Sequence, residues 1–328
     1  MIKLTYPDYY DKFACIADKC ELTCCAAWEI VVDSESETRY RNEKSSIGEK
    51  LRECMVFDGE DTIFRPINGR CPFLDGKNLC EIYKALGEQS LCCTCAKYPR
   101  FDTDFGGRRE LGLSVSCPTA AQLILCGEDF PEYLIKEENA EPEMNSTAPE
   151  LYFSMMSARK HILNIIRTSE TIPSAFDEIL EFSGKLQKLM NSEDLYNKTE
   201  KLIQKRLKPK SRTYGNYLKE LVPLEQLSPD THALICEKIN DAPDFDNQAH
   251  MLKRLFEYYI YRYFSSAVFD KDVLSPVGFA VFSVACVAAM LPENPSERDV
   301  INTAAAYSRE VEHSQENLDK IKKISRKL

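Results

Sequence analysis

The sequence predicts a mainly α-helical protein, in which a cysteine-rich, metal-organised N-terminal part with short helices and little strand precedes a helical C-terminal part. Twelve of the fourteen cysteines lie at or before Cys126, whereas all four histidines, His161, His232, His250 and His313, lie after it. Thiolates clustered without imidazole suit soft metals, zinc, cuprous copper or iron–sulfur clusters. Beyond residue 150 the apolar residues recur at spacings of three and four, as at Leu151, Met155, Ala158, Ile162 and Ile165. That is the period of helix faces packed into a core. The acidic, proline-punctuated stretch KEENAEPEMNSTAPE separates the two patterns. The expected division is therefore 1–135 for the cysteine-rich part, 136–150 for a linker and 151–328 for the helical domain.

Taken in order, residues 28–32 are aromatic and β-branched and read as a short strand. Asp33 then offers an N-cap to the polar helix SESETRYRNEK. Gly59, Pro66 and Gly69 punctuate a loop that leads to Cys71-Pro72. A short helix over 80–86 stops at Gly87. Another over 118–126 has proline in its first turn and Gly127 after it. In the second part, Ile179, Phe182, Leu186 and Leu189 mark a further helix face. MLKRLFEYYIYRYF buries Leu252, Leu255, Phe256, Tyr259, Ile260 and Tyr263, with Arg254, Tyr258 and Arg262 forming a second stripe at spacing four. That stripe reads as an exposed arginine–aromatic stack or as the lining of a pocket. Ser275-Pro276 begins an apolar helix. A last helix spans 304–318.

The chain carries 44% hydrophobic and 29% charged residues and a formal net charge of -10. This is the composition of a globular protein, and its acidity disfavours general attraction to nucleic acid or anionic membrane, which depends on Lys and Arg. The basic run KRLKPKSR, 205–212, reads as a solvated helix end. The apolar run 277–291 falls short of the ~18 residues of a membrane span. The N-terminus has no signal-peptide core, so the expected compartment is the cytoplasm, where dense cysteines serve metals or catalysis rather than disulfides.

Spacing alone leaves the metal open. The only C-x2-C pair is Cys92 and Cys95, so paired zinc knuckles are not evident, while the Cys71-Pro72 and Cys117-Pro118 pairs are of the kind found after ferredoxin ligands. No C-x3-C-x2-C run is present, because Ala27 stands where the third cysteine would be. No G-x-G-x-x-G loop follows a predicted strand either, so neither the usual radical S-adenosylmethionine signature nor the common nucleotide-binding fold is signalled.

The motifs CIADKCELTCCAAW, CPFLD, LCEIY, TCAKYPR and SVSCP, in that order, together with YSREVEHSQENL at 307–318, resemble those of the flagellin lysine-N-methylase family. The middle, 137–247, is less similar. A broader group of zinc- or iron-chelating proteins shares only the CC, CPFL, CEIY and TC elements. Membership of the methylase family implies methyl transfer from S-adenosylmethionine to lysine ε-amines of flagellin, and an iron–sulfur cluster of the four-iron type. The implied ligands are Cys20, Cys24, Cys25, Cys71, Cys80, Cys95 and Cys117, of which three or four would bind one cluster. Cys92 and Cys93 fall where the family pattern varies. Cys15 and Cys54 have no assigned role, and Cys236 and Cys286 pack as small hydrophobes.

Methylation requires a neutral amine, and neutralising lysine near pH 7.4 costs about 4 kcal/mol. In YSREVEHSQENL, helical spacing places Tyr307, Glu310 and Ser314 near one face and Arg309 and His313 on a neighbouring line. Tyr307 or Glu310 is expected to hold the substrate ammonium and His313 to relay its proton; the same residues also suit local pairing and capping. The alternative function is a non-catalytic metal-binding module, an iron–sulfur electron carrier or a zinc-stabilised scaffold.

Overall fold

The computed structural model describes residues 1–20, 22–26, 28–141 and 148–328. Its strands are β1 (Ile2–Pro7), β2 (Ile30–Val31), β3 (Met55–Phe57), β4 (Thr62–Phe64), β5 (Arg100–Asp104), β6 (Arg108–Leu113) and β7 (Tyr133–Glu138). The helices of the first part are α1 (Ser34–Asn42), α2 (Ser46–Cys54), α3 (Glu81–Leu86), α4 (Cys93–Lys97) and α5 (Pro118–Leu125). Those that follow are α6 (Pro149–Thr168), α7 (Ile172–Gln187), α8 (Leu195–Ile203), α9 (Pro229–Glu237) and α10 (Ala249–Tyr263). The chain ends in α11 (Ala267–Asp270), α12 (Leu274–Met290), α13 (Glu297–Glu312) and α14 (Gln315–Ser325). The fold is mainly α, as predicted.

The N-terminal part holds more sheet than predicted: among the described residues every strand lies before residue 139. One sheet has the order β5-β6-β1-β7, with β1 parallel to β6 and antiparallel to β7. The other is the small antiparallel sheet β2-β4-β3. In β1, Ile2 and Leu4 are buried and Lys3 is exposed, an alternation too short to stand out in a single sequence. β7 is an exposed edge with almost no alternation and runs to Glu138, three residues into the expected linker. Residues 142–147 of that linker lie outside the described residues.

Two apolar clusters form. A small one gathers Ile30, Val32, Tyr40, Leu51, Phe64, Phe73 and Ile82 around β2-β4-β3. The larger one unites the C-terminal helices with Tyr9, Phe13, Phe105 and the buried face of α5. At its centre every residue of α12 from Pro276 to Met290 is buried. Gly278 is required there, because a Cβ would lie 2.1 Å from the Ser325 carbonyl oxygen of α14. Among the described residues no helix is long and apolar enough to cross a membrane.

Capping follows the sequence closely in places. Asp33 accepts from the Ser36 N–H at 2.9 Å and from the Cys93 N–H at 2.7 Å, so one carboxylate starts α1 and also holds the start of α4. The expected single helix over 304–318 is corrected to two. Ser314 accepts from the Asn317 N–H at 3.3 Å and begins α14, while Asn317 donates to the Glu310 and Glu225 carbonyls at 2.8 and 2.9 Å. The Arg254 and Arg262 stripe is structural: Arg254 donates to the Ile124 carbonyl at 2.7 Å, and Arg262 pairs with Glu312 at 3.2 Å.

The larger sheet is tied to the helices by polar contacts. Tyr261 donates to the Leu111 carbonyl at 2.9 Å and to that of Thr5 at 3.1 Å. Arg159 of α6 forms a two-pronged, fully buried pair with Glu110 of β6, which also accepts from Ser265 at 3.0 Å. Arg159→Met would leave the Glu110 charge buried with one hydroxyl partner, so stability should fall by about 3–5 kcal/mol in urea unfolding. A loss below about 1 kcal/mol would show the pair to be worth no more than an exposed one.

Candidate functional site: a cysteine-lined cavity

Loops and helix starts from the N-terminal part enclose a cavity of about 600 Å³. All seven cysteines proposed from the sequence as ligands, Cys20, Cys24, Cys25, Cys71, Cys80, Cys95 and Cys117, line it. Cys15 and Cys92 line it as well, whereas Cys54, Cys93 and Cys126 are not among its lining residues. Cys80, Cys92 and Cys117 stand at the N-caps of α3, α4 and α5. A helix start presents N–H groups that favour a thiolate. Cys71 is placed by its N–H, which donates to the Cys25 carbonyl at 2.8 Å.

Burial pushes the Cys80 and Cys117 thiols up, opposed by first-turn N–H groups, and drives Cys71 to about 12. Two pairs behave differently. The close approach of the Cys24 and Cys25 side chains raises the Cys24 thiol and lowers that of Cys25, and the approach of Cys95 to Cys92 likewise raises Cys95 and lowers Cys92. Among the described residues no three His, Cys, Asp or Glu side chains are grouped so as to hold one metal ion. The thiols are distributed around the wall of a space and not drawn into a single-ion shell. One carboxylate residue, Glu88, and no histidine stands among the lining residues, so soft sulfur dominates the donor chemistry of the wall, the kind an iron–sulfur cluster uses.

The distal motif closes this cavity from the other half of the chain. Arg309 of α13 lines it and donates to the carbonyls of Leu22 at 2.6 Å, Thr23 at 3.2 Å and Ser116 at 2.8 Å. One turn on, the His313 ring lies 4.7 Å from Trp28 and 6.0 Å from Tyr98, both of which line the cavity. The indole is fixed in turn by its N–H, 2.6 Å from the Cys24 carbonyl.

Tyr307, Glu310 and His313 do not surround a common space. Tyr307 is fully buried and its hydroxyl donates to Ser283 at 3.0 Å. The Glu310 carboxylate accepts from the N–H groups of Leu227 and Ser228 at 3.0 and 3.1 Å, at the start of α9, and burial raises its pKa. Ser314 is the cap of α14. Arg309, Trp28, Tyr98 and Cys92 were given no site role by sequence reasoning. Trp28 carried a signal, as the only tryptophan and the end of the CC motif.

Residues 150–327, more than half of the chain, match the model described as the FliB lysine N-methylase C-terminal domain. The chain belongs to the FliB lysine N-methylase family. It is 22% identical over 271 residues to the lysine-N-methylase of Salmonella typhimurium, covering 79% of this chain and 61% of that protein. The lysine-N-methylase of Salmonella choleraesuis gives the same identity and coverage. The flagellar biosynthetic protein FliU of Salmonella muenchen is 27% identical over 135 residues, 39% of this chain and 80% of that protein. The chain thus spans 61% of the length of the two lysine-N-methylases. No solved structure matches. Within this family member, Arg309 and His313 belong to the matched domain, whereas every cysteine of the cavity lies before it.

Desolvation holds His313 far below its ordinary value, at about 3, with the Arg309 and Arg262 charges acting in the same direction. Among the described residues none hydrogen-bonds to its imidazole, which is held neutral by its surroundings. Because the folded pKa lies below the unfolded one, the unfolded chain binds the extra proton first as pH falls. His313 therefore contributes its full stability above about pH 6.5 and loses it as pH falls toward about 3. In His313→Gln the melting temperature should decline less steeply across this acid window than in the parent protein. Equal slopes would show that His313 is not kept neutral by the fold.

Proposed function

We propose that this chain is a protein-lysine N-methyltransferase that transfers methyl groups from S-adenosylmethionine to ε-amines of flagellin in the cytoplasm, and that its cavity thiols hold an iron–sulfur cluster. The observation that carries the reading is the cavity itself: thiols of the N-terminal part form its wall, and Arg309 of the lysine N-methylase domain completes it. Cys20, Cys24, Cys25, Cys71, Cys80, Cys95 and Cys117 remain the proposed ligand pool, and we add Cys92, which lines the same cavity. When bound, such a cluster supplies redox or Lewis-acid chemistry, or cohesion alone.

The transfer forms a nitrogen–carbon bond and breaks the sulfur–carbon bond of the sulfonium, leaving a thioether and a methylated ammonium. A partly buried, largely apolar cavity favours the neutral amine, which reduces the cost of removing its proton before attack. His313 adds no positive charge to oppose an incoming cation. It stands behind Trp28 and is proposed to act through that ring. Tyr307 and Glu310 are proposed to hold α13 in place, through Ser283 and the start of α9, so that Arg309 meets the cysteine loop.

Protein purified without oxygen, incubated with flagellin and S-adenosylmethionine, should yield flagellin peptides carrying added methyl groups on lysine. A folded, metal-loaded protein that leaves flagellin unchanged would contradict the proposal and favour a non-catalytic metal module. Cys71→Ser and Cys80→Ser should each lower iron content and melting temperature together, because thiolate ligation couples metal binding to folding. Unchanged iron and melting in both would remove these two from the ligand pool.

A further inference from the structure

Three aromatic rings contributed by both halves of the chain meet at one side of the cavity. The Trp28 centroid lies 4.7 Å from that of His313 and 5.6 Å from that of Tyr98, with Tyr98 and His313 6.0 Å apart. The polar ends of the two lining rings are already engaged. The Trp28 N–H reaches the Cys24 carbonyl at 2.6 Å, and the Tyr98 hydroxyl lies 3.0 Å from that of Ser116. What these residues offer to the cavity is therefore ring carbon, in a fixed arrangement. Of the other rings of the cavity wall, Tyr40, Phe64 and Phe73 are 1%, 2% and 0% exposed and belong to the small apolar core, Phe13 belongs to the larger one, and Tyr83, 50% exposed, packs against no second ring among the described residues.

Ring faces carry negative charge density and attract a cation seated within about 6 Å. Positive side chains line the cavity too, and each is drawn to another partner, although among the described residues only the Lys84 charge is balanced by a carboxylate. Arg309 is fixed on three carbonyls, Lys84 pairs with Asp75 at 2.7 Å, and Arg100 stacks over Phe13 at 5.0 Å. Sulfur of Cys24 and Cys25 lies along the same wall.

We propose that the Trp28 and Tyr98 rings, braced by His313, are the seat of a methyl-bearing cation, a sulfonium or a methylated ammonium. The assignment rests on the methyltransferase reading for its choice of cation, since both the donor and the product of that reaction carry such a group. It gives His313 the role of a positioning residue, setting the Trp28 ring from the far side. It also explains why a motif of the lysine N-methylase domain ends against the cysteine-rich part.

Trp28 is the only tryptophan of the chain, so its emission reports on this wall without labelling. The full-length protein is titrated with S-adenosylmethionine and with S-adenosylhomocysteine, which lacks the methyl group and the charge. Trimethyllysine and a neutral carbon isostere form the second pair. At least one cation should change Trp28 emission saturably and bind about tenfold more tightly than its neutral partner. Response to the first pair places the donor at the wall, and response to the second places the product.

By calorimetry, Trp28→Leu should weaken the responding cation by about tenfold while Trp28→Phe, which keeps a ring, retains most of the binding. Tyr98→Leu, which keeps the reporter, should weaken it as well. Circular dichroism identifies variants that fail to fold, and Tyr98→Phe then supplies the comparison, with binding expected to persist. Equal affinities within both pairs, or full affinity in folded Trp28→Leu and Tyr98→Leu, would overturn the seat. If flagellin is methylated all the same, only the seat fails; if the cation binds as described but nothing is methylated, only the functional reading fails.

Discussion

Arg309 directs three of its N–H donors to the backbone carbonyls of Leu22, Thr23 and Ser116, and the shape of the cavity depends on that contact. The carbonyls belong to irregular chain beside Cys20, Cys24, Cys25 and Cys117, where no ladder or helix satisfies them. Carbonyls in such segments must find donors elsewhere if the loop is to hold one conformation. A planar guanidinium is suited to this because its donors are fixed in a fork, and lysine would not replace it. The helix carrying Arg309 is itself held on its other sides. Tyr307 reaches Ser283, Glu310 the start of α9, and Glu312 accepts from Tyr263 at 2.6 Å and Ser308 at 2.6 Å. Alternate sides of one motif thus grip the helical core and the cysteine loop.

The electrostatics follow from the same junction. Arg309 helps to depress both the Cys25 thiol and the His313 imidazole, favouring a thiolate in one and a neutral ring in the other. Burial alone would oppose charge on the sulfurs, so the lowering of Cys25 beside Cys24 and of Cys92 beside Cys95 matters. In each pair one sulfur is the more readily deprotonated. Arg262, over the Phe101 ring at 4.5 Å and paired with buried Glu312, carries a partly buried charge behind α13. Charge at this boundary is therefore paired or hydrogen-bonded on the helical side and presented to sulfur and aromatic rings on the other.

Much of this was legible in the sequence because it is local. The helical periods after residue 150, the caps at Asp33 and Gly87 and the buried apolar helix need only neighbouring residues. The grouping of the cysteines was legible only in part: residue type marks the cluster, but not that Cys15 and Cys92 line the cavity while Cys54, Cys93 and Cys126 do not. What escaped was long-range. Arg309 and Leu22 are 287 positions apart, and helical spacing gives Arg309 a line on α13 without saying what faces it. Ser314 reads as one more polar residue of a helix until Asn317 is seen turning back to Glu310 and Glu225. Strand β1 depends on pairing with β6 and β7, more than a hundred residues away, and its own alternation is too brief to announce it.

If the lysine N-methylase domain shapes the cysteine cavity through Arg309, loss of its three hydrogen bonds should loosen the loops that carry the thiols. Amide hydrogen exchange of the full-length protein, comparing the parent with Arg309→Met, tests it most directly. Exchange should quicken around residues 22–28 and 114–117 while α12 and the β5-β6-β1-β7 sheet stay protected as before. Unchanged protection of both cysteine segments, in a variant whose side chain can make none of the three hydrogen bonds, would contradict the claim.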